Sequence, residues 1–310
     1  MLKIEGLVKK YGKFTAVDHL DMEISKGSIF GFVGPNGAGK TTTMKIMAGL
    51  MKADEGEVYI EGIKVSEDID LLKQKIGYMP DFFGVYNDLR VDEYMDFYAG
   101  MYYIPYDKRG TLINNLLELV DLAHKKNAYV DTLSRGMKQR LCLARSLVHD
   151  PEILILDEPA SGLDPRARVE MKEVLKQLSV LNKTVIISSH ILPELAEMCT
   201  EIGIINHGKL VDSGSVTDIM RHVSKGRRIE IKALERLDEL AVILEQLPDV
   251  SEITENTTDV EFTYTGEDTG LSSILTEIVK ERNIPLLSFR EKEGNLEDIF
   301  MELTGGEDNA

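Results

Sequence analysis

"FVGPNGAGKTTTMKI" (residues 32–46) places three glycines within six positions, then one lysine and three threonines. Gly34–Thr41 match G-x-x-x-x-G-K-[ST] in full, and the flanks fit. "SIFGFV" (28–33) reads as a strand before the motif, and "TTTMKIMAGL" as a helix after it. Glycines let the backbone curl around a phosphate chain with its N–H groups turned inward. The helix N-terminus adds partial positive charge. Lys40 is then placed for the β- and γ-phosphates, and the hydroxyl of Thr41 for Mg²⁺. Gly34, Asn36, Gly37, Ala38, Gly39, Lys40, Thr41 and Thr42 are the candidate nucleotide contacts. A glycine-rich turn alone could be a structural loop. The Lys-Thr pair and the flanks argue against that.

A phosphate loop needs a carboxylate for the metal and a group to handle water. "ILILDEP" (153–159) offers both. Four apolar residues predict a buried strand, with Asp157 just past its C-terminal end, where open α/β sheets bind ligands. Asp157 is the candidate Mg²⁺ carboxylate. Glu158 is the candidate for orienting and deprotonating the attacking water.

The rest of residues 1–222 alternates short apolar runs with helical patterns. "KIGYM" (75–79), "TVIISS" (184–189) and "IGIIN" (202–206) are β-branched and nearly continuous in apolar residues. Such runs suit a parallel sheet covered on both faces. Residues 3–27 alternate instead and contain turns, which predicts an antiparallel layer. A boundary falls near "RHVSKGRR" (221–228), dividing the chain into residues 1–224 and 225–310. The second part reads strand, helix, strand, strand, helix, strand, the order of a ferredoxin-like α+β unit. Leu271, Ile274, Leu275, Ile278 and Val279 are spaced to share one helical face. A last helix is expected at "NLEDIFMEL", with Asn295 as N-cap and Leu296, Ile299, Phe300 and Leu303 on one side.

Composition narrows the class. The chain has 310 residues, 43 % of them apolar and 29 % charged, and a formal net charge of −17. Residues 251–310 carry 15 Asp/Glu against 4 Lys/Arg. That excess argues against nucleic acid or an anionic lipid surface as a partner for the C-terminal part. "MLKIEGLVKKYG" lacks the apolar stretch of a signal peptide. No run approaches the ~20 residues that span a bilayer. Cys142 and Cys199 are too few for a disulfide scaffold or a zinc site, and buried apolar packing is their expected role.

"DTLSRGMKQRLCLARSL" (131–147) resembles the signature segment of ABC ATPases, usually L-S-G-G-Q. The family's other motifs accompany it in order over residues 1 to about 222, so the chain resembles an ABC transporter ATP-binding subunit. The resemblance implies a P-loop α/β domain with a parallel-sheet core, an antiparallel layer and a helical signature subdomain. It implies ATP as the nucleotide, with Mg²⁺. Tyr11 stands where an aromatic stacks on adenine. "GYMPD" (77–81) corresponds to the Q-loop and puts Asp81 near the metal in place of glutamine. Ser134 and Gly136 correspond to the γ-phosphate contacts of the signature. "SGLD" (161–164) resembles the D-loop, and His190 matches the switch histidine. Arg135 and Met137 depart from the commoner glycine and glutamine.

The resemblance further implies a head-to-tail pair of ATP-binding subunits, with each signature acting on the other subunit's ATP. One chain carries a complete set, which favours a homodimer. A separate membrane permease would receive the output and hold the protein at the cytoplasmic face of the membrane. "DFFGVYNDLRVDEYMDFYAGMYY" (81–103) is the candidate docking surface, unless its aromatics serve the core. The signature and the ending "NLEDIFMELTG" look most like the branch that exports drugs, antibiotic peptides, sodium or polysaccharide and lipid. The alternative is a soluble ABC ATPase without a permease. Such proteins usually carry two cassettes or a long inserted coiled coil, and neither pattern is present. An N-K-x-D guanine motif is also lacking.

Overall fold

The computed structural model describes residues 1–292 apart from 83, 87, 224–226, 248 and 267. The chain divides into two compact units, Met1–Val216 and Thr217–Ala310.

Among its described residues the first unit holds ten strands: β1 (Leu2–Tyr11), β2 (Phe14–Ile24), β3 (Ile29–Val33), β4 (Glu55–Ile60), β5 (Ile63–Lys64), β6 (Ile76–Met79), β7 (Ile153–Leu156), β8 (Thr184–Ser189), β9 (Glu201–Asn206) and β10 (Lys209–Ser215). Six of them form the central sheet, in the order β10-β9-β3-β8-β7-β6. All neighbours in it are parallel except β10 against β9. Every residue of β3, β7 and β8 is buried, as strands covered on both faces require. The antiparallel layer, β2-β1-β4-β5, is larger than residues 3–27 alone imply, because β4 pairs along β1.

The α-helices that accompany these strands among the described residues are α1 (Lys40–Met47), α2 (Ile69–Lys75), α3 (Val91–Met101), α4 (Tyr106–Leu119), α5 (Arg135–Ser146), α6 (Pro165–Val180) and α7 (Leu192–Ala196). Met44, Ile46 and Met47 of α1 share one hydrophobic cluster with Leu2, Ile4 and Val58 of the layer and Phe32, Ile155 and Ile186 of the central sheet. The helix that follows the phosphate loop is thereby fixed to both sheets. The helices α3, α4 and α5 pack on one another as a helical subdomain. Its interior includes buried polar groups, among them one around Arg145. The Arg145 guanidinium donates to the hydroxyls of Tyr94 (3.3 Å) and Tyr98 (3.4 Å) and to Cys142 Sγ (3.1 Å).

The parallel register decides where the site can form. Val33 pairs with Ser189, and Leu156 with Ile187. The C-terminal ends of β3, β7 and β8 therefore open on one edge, which delivers Gly34, Asp157 and His190 to the same place.

In the second unit, β11 (Arg227–Ala233), β12 (Val250–Glu255), β13 (Val260–Tyr264) and β14 (Leu286–Lys292) form an antiparallel sheet in the order β12-β13-β11-β14. With helices Leu237–Glu245 and Asp268–Thr276 between them, this is the ferredoxin-like arrangement. Buried Glu230 is held by its cross-strand neighbour Arg290 through a hydrogen bond at 2.9 Å and an ion-pair contact at 2.8 Å. Val279 does not share the face of Leu271, Ile274 and Ile278, which are buried, but is 45 % exposed. The chain passes there into a π-helical turn, Glu277–Glu281, with Arg282 N bonded to the Glu277 carbonyl. At roughly 100° per residue, Val279 lies well round the helix from Ile278, at the edge of that face. Asn295, Leu296, Ile299, Phe300 and Leu303 lie outside the described residues.

Cys142 is buried and Cys199 half-buried, both as free thiols. A side chain at Gly31 of β3 would come within 2.9 Å of Cys199 Sγ, so the glycine is what lets that thiol pack against the strand.

Ile155 is fully buried on a central strand. Ile155→Ala should lower unfolding stability by about 2–5 kcal/mol, read as a lower denaturant midpoint.

Candidate active site

The loop between β3 and α1 is built by glycines for two separate reasons. Gly37 and Gly39 take φ of 81° and 107°, a region closed to most side chains. Gly34 and Gly39 also lie too close to neighbouring backbone. A Cβ on either would sit 2.3 Å from a carbonyl oxygen, of Ile205 and Ala16 respectively.

Within this loop Lys40 is almost wholly buried and donates to the carbonyls of Gly34 (2.6 Å) and Pro35 (3.2 Å). Its Nζ stands 3.7 Å from Glu158 Oε1. Burial pushes the Lys40 pKa down, and the carboxylates of Glu158 and Asp157 oppose that.

Asp157 is fully buried. Its Oδ1 accepts from Thr41 Oγ1 at 3.1 Å and from Ser188 Oγ at 2.7 Å. Its Oδ2 has no partner within the protein. A buried carboxylate oxygen beside a threonine hydroxyl, at the mouth of a phosphate loop, is a hard-oxygen donor set that fits Mg²⁺.

Glu158 occupies the left-handed region at φ 50°, which costs about 1–2 kcal/mol for a residue with a Cβ. Its N–H donates to Ser188 Oγ at 2.8 Å, and its carbonyl accepts from Ser161 N at 3.1 Å. The His190 ring sits 3.1 and 3.2 Å from the two Glu158 carboxylate oxygens through Nδ1. Burial raises the Glu158 pKa, while His190 and Lys40 pull it back down.

These groups meet in a cleft of about 420 Å³. Of the candidate residues, Tyr11, Asn36, Gly37, Gly39, Lys40, Thr41, Thr42, Asp81, Glu158 and His190 line it. Gly34 and Ala38 lie buried beneath the loop, and the Ala38 N–H is already committed to the Pro35 carbonyl at 3.1 Å. Asp81 is exposed at the rim. Tyr11 is half exposed, with its hydroxyl on Met51 Sδ at 3.1 Å.

Three residues beyond those expected take part. Phe14, paired with Tyr11 across the β1–β2 hairpin, adds a second exposed aromatic to the cleft. Ser161 lines its wall. Ser188 links Asp157 to the turn at Glu158. A hydroxyl at the C-terminal end of a buried strand is the only signal in the sequence that marks Ser188.

Ser134 and Gly136 are not among the residues lining the cleft. Ser134 is exposed and caps α5, its hydroxyl accepting from Met137 N at 3.3 Å. Gly136 lies against Leu163 and Ala167, so that a Cβ there would come within 2.9 Å of the Ala167 Cβ. Gln139 Nε2 donates to the Ser161 carbonyl at 3.1 Å. Arg135 lies over Gly162, where it would leave no room for a side chain. The signature helix is thus docked on residues 161–167 of its own chain.

A phosphate loop, a buried aspartate and a glutamate–histidine pair at one edge of a parallel sheet define a nucleoside-triphosphate-hydrolysing P-loop protein. The model of the ABC transporter family matches residues 17–161, and that of the C-terminal domain of DrrA1-3-like ATP-binding proteins matches residues 214–304. The chain is 33 % identical to the linearmycin resistance ATP-binding protein LnrL of Bacillus subtilis, over 98 % of each chain. It is 34 % identical to the bacitracin transport ATP-binding protein BcrA of Bacillus licheniformis, over 99 % of this chain and 98 % of that one. Among solved structures, the dimeric cassette MJ0796 in a post-hydrolysis state with ADP and Pi is similar at TM-score 0.63 and 27 % identity, over 70 % of this chain and 99 % of that one. The chain belongs to the ATP-binding subunits of ABC transporters and is an ATPase of that family. No helix among the described residues is long and apolar enough to cross a membrane.

The raised Glu158 pKa has a consequence for stability. The folded chain binds this proton more tightly than the unfolded chain, so the contribution is full below the ordinary carboxylate range. It is lost as pH rises through the folded pKa. Glu158→Gln should therefore gain stability relative to wild type as pH rises toward neutrality, read from denaturant midpoints at a series of pH values. A difference between the two that stays flat with pH would contradict the shift.

Proposed function

We propose that the protein is the ATP-hydrolysing subunit of an exporter. It pairs head to tail with a second copy around two ATP and drives a separate membrane permease that holds it at the cytoplasmic face. The observation that carries this reading is the division of its groups. Lys40, Thr41, Glu158 and His190 line one cleft, while Ser134 and Gly136 are held outside it on α5. A second chain's signature is what would close the cleft over the γ-phosphate. Export is supported by the names of the relatives, which include linearmycin resistance, bacitracin transport and Nod factor export.

The residues divide the work as follows. Tyr11, with Phe14 beside it, stacks on adenine. The loop's N–H groups and Lys40 hold the phosphates. Lys40 leaves the carbonyls of Gly34 and Pro35 to do so. Asp157 and Thr41 hold Mg²⁺, which when bound neutralises charge on the β- and γ-phosphates. Glu158 accepts the proton of the attacking water, and burial moves its pKa toward neutrality, as suits a base. His190 orients the Glu158 carboxylate.

The docking surface is the exposed part of residues 81–103, with Tyr106 beside it. Tyr94 and Met95 serve the core, but Phe82 is 95 % exposed, and Phe97 and Tyr106 line an open groove with Leu89, Asp92 and Asp96. The second unit carries none of the proposed nucleotide-binding residues and acts through protein contacts.

Lys40→Ala should abolish ATP binding, measured on the purified protein, and wild-type binding would overturn the site. Glu158→Gln should bind ATP, stall hydrolysis and accumulate an ATP-bound dimer, read as a doubled mass in light scattering with ATP and Mg²⁺. Asp81 sits at the rim, so Asp81→Gln should leave basal turnover within about tenfold, on the order of 1.4 kcal/mol. A loss of several orders of magnitude would make Asp81 a direct metal ligand.

A further inference from the structure

Beneath the cleft, two buried oxygen atoms have no partner within the protein. One is Oδ2 of Asp157, and the other is the phenolic oxygen of Tyr78. Tyr78 lies on β6, in parallel register with Ile155 of β7. Alternation along a strand turns Ile155 and Asp157 to one face, and the paired Tyr78 projects the same way. The Asp157 N–H, bonded to the Met79 carbonyl at 2.9 Å, fixes the two strand ends together.

The Tyr78 ring packs against the main hydrophobic cluster. A phenylalanine would fill that space without burying a hydroxyl. An unsatisfied buried hydroxyl destabilises a fold, so the oxygen here has a partner to find. Its chemistry identifies the partner. A phenol is protonated at neutral pH, so the group is available as a donor. Asp157 Oδ2 is an acceptor, and neither oxygen has a hydrogen bond within the protein.

We propose that Tyr78 is a positioning residue for the metal. Its hydroxyl and Asp157 Oδ2 hold one water between them, and that water is a ligand of Mg²⁺. The proposal rests on the reading of Asp157 as the metal's carboxylate. Tyr78 touches neither nucleotide nor metal and acts by orienting the Asp157 carboxylate, as outer partners of metal ligands commonly do.

The test is calorimetric binding of AMP-PNP, a non-hydrolysable ATP analogue, to the full chain across a magnesium titration. Wild type, Tyr78→Phe and Asp157→Asn are compared. Tyr78→Phe keeps the ring and removes one oxygen. It should bind AMP-PNP in EDTA as wild type does, while its half-saturating Mg²⁺ concentration rises about tenfold. Its melting temperature without nucleotide should not fall. An unchanged magnesium dependence in Tyr78→Phe, with a weakened one in Asp157→Asn, overturns the role of Tyr78 alone. An unchanged dependence in both overturns the metal reading of Asp157 and this proposal with it. A loss of AMP-PNP binding by Tyr78→Phe in EDTA makes the residue structural and also overturns the proposal.

Discussion

One side-chain hydroxyl holds the catalytic edge in shape. Ser188 Oγ donates to Asp157 Oδ1 at 2.7 Å and accepts from the Glu158 N–H at 2.8 Å. The first bond joins β8 to the end of β7. The second offsets the left-handed backbone at Glu158, which the chain would otherwise avoid. Thr41 reaches the same Asp157 oxygen from α1, so the phosphate loop and two strands converge on one carboxylate. Breaking this network would leave buried groups unpartnered, which costs more than the net strength of the bonds themselves.

Around that network the charges are arranged against one another. Lys40 is buried and has its pKa depressed, and Glu158 is buried and has its pKa raised. Each destabilises the fold by its own burial and relieves the other across 3.7 Å. Such pairs are characteristic of sites where chemistry is done. A triphosphate would replace the carbonyls that Lys40 now holds, and Glu158 would be left facing water.

Much of this was legible before the structure. β3, β7 and β8 are covered on both faces, so their sequences run nearly unbroken in Ile, Leu, Val and Phe, and such runs are conspicuous. The phosphate loop and Asp157-Glu158 are contiguous in sequence, so spacing alone identifies them. The βαββαβ order could be read because its elements are short and bounded by turns. What was not legible depended on contacts across the fold. Ser188, Phe14 and Tyr78 have ordinary neighbours and acquire meaning only from what lies opposite them. Sheet order follows from pairing between distant segments. Val279 was misplaced because apolar spacing marks the edge of a helical face as readily as its centre. Ala38 sits inside the phosphate motif yet beneath the loop, a distinction that the motif cannot make.

In the proposed pair, the cleft of one chain is completed by the signature of another. Complementation between two inactive variants tests it most directly. Lys40→Ala removes the phosphate cation and leaves the signature intact, whereas Ser134→Arg blocks the signature and leaves the loop intact. Each alone should be inactive. Mixed and allowed to exchange, they should regain ATP hydrolysis, because one composite site in the mixed dimer has an intact loop facing an intact signature. If the mixture stays as inactive as its components while mixed dimers form, the loop and signature do not act between chains, and the account is wrong.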